Sequence, residues 1–122
     1  MNYSELTLHY FQTAPGAGVL TGPDVCRGSA GARAQGAWVQ FDLQLGGGSI
    51  RAARFLAFGC PHTIAVSAWV AEHAAGRDIG AGLPESVAAL SERFAVPIEK
   101  RGRLLLIEDA WFAALGACQT GS

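Results

Sequence analysis

The chain has 122 residues, of which 50% are hydrophobic and 16% are charged, and its formal net charge is −1. This length and apolar content favour one folded domain over residues 1–122 and exclude disorder as the main state. The balanced charge lacks the basic field of a nucleic-acid-binding protein, and no apolar run approaches the roughly 20 residues of a membrane span. Three widely spaced cysteines, with no N-terminal signal-peptide pattern, predict unpaired thiols in a reducing compartment, the cytoplasm.

The first half of the chain is rich in glycine and predicts strands after one short helix. Apolar residues at helical spacing predict that helix over residues 3–11. A first strand is expected within residues 24–30. The clearest strand covers residues 36–45, because apolar and mostly polar side chains alternate along it. The glycines at 46–48 permit a tight reversal into a third strand over residues 49–57.

The second half is rich in alanine, leucine and glutamate and predicts helices. Pro61 is suited to the first turn of a helix, where its missing N–H is not needed, and Gly76 is a plausible end signal. A second helix is expected to start at Pro84. Strands followed by helices that cover one sheet face predict an α+β fold with a small antiparallel three-stranded sheet.

The last helix shows the most regular apolar stripe, over residues 107–118. Glu108 and Asp109 stand at the start of this stripe, where acidic side chains in a first turn would complement the helix dipole. Cys118 lies on the stripe and is therefore expected in the core, while the side on which Cys26 lies cannot be assigned.

Cys60 is the strongest candidate for chemistry because it lies between a predicted strand and a predicted helix N-terminus. The partial positive charge of that helix end favours a thiolate, which is the nucleophilic form. Gly59 allows the backbone to turn there, and His62 is close enough in sequence to polarise the thiol. The structural alternative is a small buried cysteine beside a surface histidine.

A second candidate is a set of cations that would form a mouth for an anion or for a carboxylate of a partner: Arg33, Lys100, Arg101 and Arg103. The alternative is a solvated loop. No paired-cysteine metal motif, glycine-rich phosphate loop or nucleophile elbow occurs in the sequence.

Residues 51–60, followed by Ile64, Ala65 and Ser67, resemble the central motif of the NifU N-terminal domain, also called the IscU scaffold family. Three further stretches are similar to family motifs in the same order. They are residues 3–16, the glycine-rich segment 28–36, and residues 106–110 in the last helix. The resemblance covers nearly the whole chain and implies the IscU-like fold, which the SufE family shares.

The resemblance implies a role in iron–sulfur cluster assembly, in which the family uses three cysteines, an aspartate and a histidine. Matched residue by residue, the first cysteine position is Gln35 and the aspartate position is Ala37. The second cysteine position is Cys60. The histidine and third cysteine positions are Gly102 and Arg103. Because soft thiolates hold such clusters, the losses weaken the implied binding of a cluster or of an iron or zinc ion.

Three non-enzymatic hypotheses follow from this resemblance. The chain would be a scaffold that binds a metal or cluster, as a monomer or as a homodimer that contributes one Cys60 per chain; a rebuilt site would add His62 and Cys26. It would alternatively be a metal-free persulfide acceptor, as in the SufE family, with Cys60 receiving sulfur from a cysteine desulfurase. In the third hypothesis the chain is a binding module for a desulfurase or another assembly protein, with Trp38 and Trp69 as candidate anchors.

Overall fold

A three-stranded antiparallel sheet lies at the centre of the computed structural model, which describes residues 3–120. The strand order is β1-β2-β3. The strands are β1 (Val25–Ala32), β2 (Ala37–Gly46) and β3 (Ser49–Phe58). The helices are α1 (Glu5–Thr13), α2 (Pro61–Glu72), α3 (Val87–Arg93) and α4 (Gly102–Thr120), with 3-10 turns at Arg33–Gln35 and Ile98–Lys100. The predicted α+β fold is confirmed, although the ends of the predicted domain at residues 1, 2, 121 and 122 lie outside the described residues.

The alternation predicted for β2 separates two sheet faces. Val39, Phe41 and Leu43 are completely buried and face the helices. The β2–β3 hairpin turns at Gly47 and Gly48, both with positive φ. A two-residue turn with positive φ at both positions matches the twist of a hairpin, so glycine is favoured at both.

Helix α4 packs unusually close to β1, and Gly28 makes this approach possible. A Cβ atom at this position would lie 2.1 Å from the backbone nitrogen of Ala114. Further into the core, the Trp111 ring meets the Phe41 ring edge-on, with centroids 5.4 Å apart. Within the described part of the chain, no helix combines the length and apolarity needed to cross a membrane.

The other sheet face carries one buried acid, Asp42. Its carboxylate accepts hydrogen bonds from the Arg27 guanidinium at 2.7 and 2.9 Å and from the backbone N–H of Leu20 at 2.9 Å. Burial raises the pKa of this carboxyl, but these hydrogen bonds and the charge of Arg27 hold the pKa below its usual value. On this sheet face, the negative charge of Asp42 is therefore neutralised by the neighbouring Arg27.

Several helix boundaries differ from the predictions because capping side chains decide them. Helix α1 begins at Glu5, since the Ser4 hydroxyl accepts a hydrogen bond from the Thr7 N–H. Helix α3 begins at Val87 rather than Pro84, because Ser86 caps it in the same way. Helix α2 begins at Pro61 as predicted but ends at Glu72, before the expected stop at Gly76.

Helix α4 starts five residues earlier than its apolar stripe indicates. It begins at Gly102, which places Glu108 and Asp109 inside the helix rather than in its first turn. The dipole interpretation of these two acids is therefore wrong.

The prediction of three unpaired cysteines is also wrong, because Cys26 and Cys118 form a disulfide. Cys26 pairs with Leu43 across the sheet, which turns its side chain toward α4. The stripe that predicted a core position for Cys118 instead brings it to Cys26, with the two Cα atoms 5.1 Å apart. Both cysteines are half-buried.

Candidate functional site

Three chain segments meet at one end of the sheet. The β1–β2 register ends at Ala32 and Ala37, and Trp38 pairs with Phe58 near the end of β3. The start of α4 reaches the same end, since a Cβ on Gly31 would lie 2.9 Å from the Leu106 side chain. The predicted site positions Gln35, Ala37, Cys60, Gly102 and Arg103 all belong to these segments.

Cys60 occupies the N-cap position of α2. Its Sγ lies 3.6 Å from the Thr63 hydroxyl, one helical turn onward. Gly59 has a φ of +154°, and a Cβ there would lie 3.0 Å from the Thr63 oxygen, so this turn favours glycine. The thiol therefore lies at the N-terminal end of α2, beside the first backbone N–H groups of the helix.

The local electrostatics favour the thiolate form of Cys60. Burial raises the pKa of the thiol, but the Thr63 hydroxyl and the nearby backbone N–H groups of Thr63 and His62 at the start of α2 lower it. The positive charge of Lys100 lowers it further. The net pKa lies below the ordinary value for cysteine, so more of the reactive anion is present at neutral pH.

The His62 ring is buried rather than exposed, with 2% of its surface accessible. It packs edge-on against Tyr3, with ring centroids 4.8 Å apart. Burial and the charge of Lys100 lower the pKa of His62, which favours the neutral ring. Its Nδ1 atom has no hydrogen-bond partner among residues 3–120. His62 is thus a packed interior ring rather than the surface histidine of the structural alternative.

The predicted cationic mouth is divided among different contacts. Lys100 lies over the Tyr3 ring at 5.5 Å and is the cation whose charge acts on Cys60. Arg33 instead lies over the Trp38 ring, with its guanidinium carbon 5.2 Å from the ring centre. Arg101 is exposed, and the Nε atom of Arg103 is buried with no hydrogen-bond partner in the described chain.

Sequence reasoning missed Thr63 and Tyr3. Thr63 lies three residues after the N-cap, the position from which a side chain reaches back to the cap, so this spacing was an available signal. The contact of Tyr3 with His62 is tertiary and leaves no local pattern. Of the two proposed tryptophan anchors, Trp69 belongs to the core, while Trp38 is half-exposed.

The residues that the structure describes do not fit a metal centre within one chain. In residues 3–120, no three histidine, cysteine, aspartate or glutamate side chains come together as a possible metal site. Cys26 cannot join Cys60, because it is bonded to Cys118 and aligns through Leu43 with Ala53. Ala53 lies seven residues before Cys60, about 23 Å along an extended strand.

Comparison with known proteins identifies the type of domain. A family model described as NifU-like N terminal domain matches residues 2–120. None of the curated proteins matches the sequence. A protein assigned as an iron–sulfur cluster assembly scaffold for the SUF system, from Fervidobacterium islandicum, is 17% identical with a TM-score of 0.73, covering 93% of this chain and 96% of its own. The N-terminal part of a nitrogen-fixing NifU-like protein from Brucella abortus is 16% identical with a TM-score of 0.76. The match covers 98% of this chain and 95% of that structure.

Proposed function

Because this chain belongs to the NifU-like N terminal domain family, which acts in iron–sulfur cluster assembly, we propose that its Cys60 thiolate accepts sulfur from a cysteine desulfurase. The observation that carries this proposal is the single free cysteine at a helix N-terminus. The other two cysteines are bonded to each other. Cys60 therefore carries the one thiol of the chain that can accept sulfur.

The proposed step is a transfer of sulfane sulfur. The Cys60 thiolate attacks the outer sulfur of a persulfide on the donor and forms a new S–S bond. The S–S bond of the donor breaks, the donor cysteine leaves as a thiolate, and the proton of the persulfide stays on the transferred sulfur. Atoms and charge balance, and there is no net oxidation. The chain acts as a stoichiometric acceptor rather than as an enzyme.

The local structure supports both sides of this step. A lowered pKa increases the fraction of the attacking thiolate. After transfer, the outer sulfur releases its proton to water, and the helix dipole at the start of α2 favours the resulting anion. Cys60 keeps part of its surface exposed, which gives a donor persulfide access.

The missing ligand set argues against a scaffold in which one chain holds the whole cluster. By the resemblance, Gln35, Ala37 and Gly102 correspond to ligand positions of the family pattern, and none of them supplies a thiolate or a carboxylate. Arg103 would place a permanent cation beside the metal. A cluster as cargo would therefore need thiolates from outside this chain.

The test is incubation of the protein with a cysteine desulfurase and cysteine, without oxygen or reductant, followed by intact-mass analysis. We expect the wild type to gain the mass of one sulfur atom, located on Cys60 by peptide mapping. The matched variant Cys60→Ser should gain nothing. An unchanged wild-type mass would contradict the proposal.

A parallel reconstitution with ferrous iron and sulfide separates the acceptor from the scaffold. We expect no retained iron or acid-labile sulfide after desalting. Iron and sulfide retained by the wild type and lost in Cys60→Ser would instead support a cluster held between two chains, with one Cys60 from each.

A further inference from the structure

A compact cluster of one arginine and two aromatic rings lies beside the Cys60 turn, on the sheet face opposite the helices. The guanidinium of Arg33 lies 5.2 Å from the centre of the Trp38 ring and 6.0 Å from that of Phe58. Trp38 and Phe58 are cross-strand partners on β2 and β3. We call these three residues the Arg33 cluster.

The charge of the Arg33 cluster is not neutralised within the described part of the protein. Arg33 is exposed and forms no ion pair with any carboxylate of residues 3–120. Asp42, the buried acid of the same sheet face, is already paired with Arg27. Arg54, opposite Asp42 in the register, adds a further exposed cation. This face therefore has a surplus of positive charge.

The aromatic rings prepare Arg33 for a carboxylate. Contact with the two aromatic rings restricts the guanidinium. Its planar set of N–H donors matches a carboxylate in a two-point hydrogen bond. Less side-chain entropy is then lost when such a partner binds. Phe58 is 46% exposed, so the same spot also offers apolar surface, and arginine with aromatic residues is the typical composition of an interface hot spot.

We propose that the Arg33 cluster is the docking point for an acidic segment of the protein that delivers sulfur to Cys60. The inference rests on the proposed sulfur transfer and adds the chemistry of the partner surface: a carboxylate flanked by apolar side chains. Phe58 precedes Cys60 by two residues, so a partner seated on the cluster lies next to the strand end that carries the thiol. The exposed Phe58 ring favours a protein as the binding partner of the cluster, because a protein can bury the ring. A small free anion bound to Arg33 would leave the ring in water.

The test uses charge reversal at Arg33 with a matched control. Arg51 is an exposed arginine on the same strand as Phe58, seven residues or about 23 Å away. The variants Arg33→Glu and Arg51→Glu change the net charge equally, and Arg33→Lys retains the charge without the planar guanidinium. Binding of each to the cysteine desulfurase is measured by calorimetry in a Cys60→Ala background, where no sulfur can transfer.

We expect Arg33→Glu to weaken binding at least about tenfold, as removal of a hot-spot arginine does. Arg33→Lys should lie between the wild type and Arg33→Glu, and Arg51→Glu should change binding by less than about twofold. Wild-type affinity should fall with added salt, whereas the Arg33→Glu variant should show a smaller fall.

Three outcomes would overturn the inference: unchanged binding by Arg33→Glu, an equal loss in Arg51→Glu, or no measurable binding by the wild type. Sulfur transfer to Cys60 is measured separately, by mass. Transfer that persists at the wild-type rate in Arg33→Glu overturns the docking point and leaves the acceptor role intact. Binding that depends on Arg33 without any transfer supports the docking point and contradicts the acceptor role.

Discussion

The disulfide between Cys26 and Cys118 should contribute strongly to stability, because it closes a long loop. The two residues are 92 positions apart. In the chain-entropy description, closing a loop of this length lowers the entropy of the unfolded chain enough to stabilise the folded state by about 4.6 kcal/mol. The variant Cys26→Ser/Cys118→Ser removes the bond without leaving an unpaired thiol.

Urea unfolding of the oxidised protein and of the double variant measures this contribution. We expect the free energy of unfolding to fall by about 4 to 5 kcal/mol, and added reductant to give the wild type a similar loss. With an unfolding entropy of about 2.1 cal/mol/K per residue, the same change corresponds to a melting temperature lower by roughly 18 °C. The close packing of α4 at Gly28 should keep the variant folded at room temperature.

Cys60→Ser is the matched control, because it removes a cysteine that closes no loop. It should leave both the unfolding transition and its response to reductant unchanged. Three thiols titrating in the folded, oxidised wild type would refute the pairing. A change below about 1 kcal/mol in the double variant would refute the loop-entropy reasoning.

Three further predictions concern packing, charge and the thiol. Gly28→Ala should lower the free energy of unfolding in urea by about 3 kcal/mol, because its Cβ would collide with the α4 backbone, whereas Gly116→Ala should raise it by roughly 0.5 to 1 kcal/mol. In the folded protein the pKa of Asp42 lies below its unfolded value of about 3.9. The ionised Asp42 carboxylate therefore stabilises the fold fully above the unfolded pKa, and this stabilisation is lost as the pH falls through the folded pKa. Arg27→Met should move acid unfolding, followed by circular dichroism, to higher pH. Alkylation of Cys60 by iodoacetamide should show a midpoint pH below that of an ordinary cysteine thiol.

Each of these predictions has a contradicting result. Equal stability of Gly28→Ala and the wild type would show that α4 does not approach β1 so closely. An acid transition unchanged by Arg27→Met would show that the guanidinium does not lower the pKa of the buried carboxyl. For Cys60, the control Thr63→Val removes the hydroxyl and should raise the alkylation midpoint; an unchanged midpoint would exclude this hydroxyl as a stabiliser of the thiolate.

The fold could be predicted because its main elements carry local periodic signals. The alternation along β2 and the apolar stripe along α4 indicate which side of each element packs against the core. The structure confirms both patterns. The starts of α3 and α4 could not be placed from those stripes. A helix begins where its first N–H groups find acceptors, and the Ser86 hydroxyl provides one for α3 before the apolar pattern starts.

The disulfide was predicted wrongly because its pairing is a property of the assembled layers. Nothing near Cys26 or Cys118 in sequence indicates the other. The contact between the two cysteines follows from two separate features. Cys26 lies on the helix-facing side of β1, and α4 packs closely against β1 at Gly28. For the same reason, the contact of Arg33 with two rings was not foreseen, since those rings lie on neighbouring strands.

The position of Cys60 between a strand and a helix start was predicted from the sequence, and the other features of the site follow from charge. The family pattern gathers thiolates at this end of the sheet, and a set of thiolates attracts metal cations. Here one thiol remains, with Lys100 acting on it and with Arg33 and Arg103 on the neighbouring segments. Fixed positive charge disfavours an iron ion and favours anions of every kind. The Cys60 thiolate and a carboxylate of a docking partner are both anions, so the missing metal ligands and the cations at this end of the sheet both support the proposed sulfur transfer.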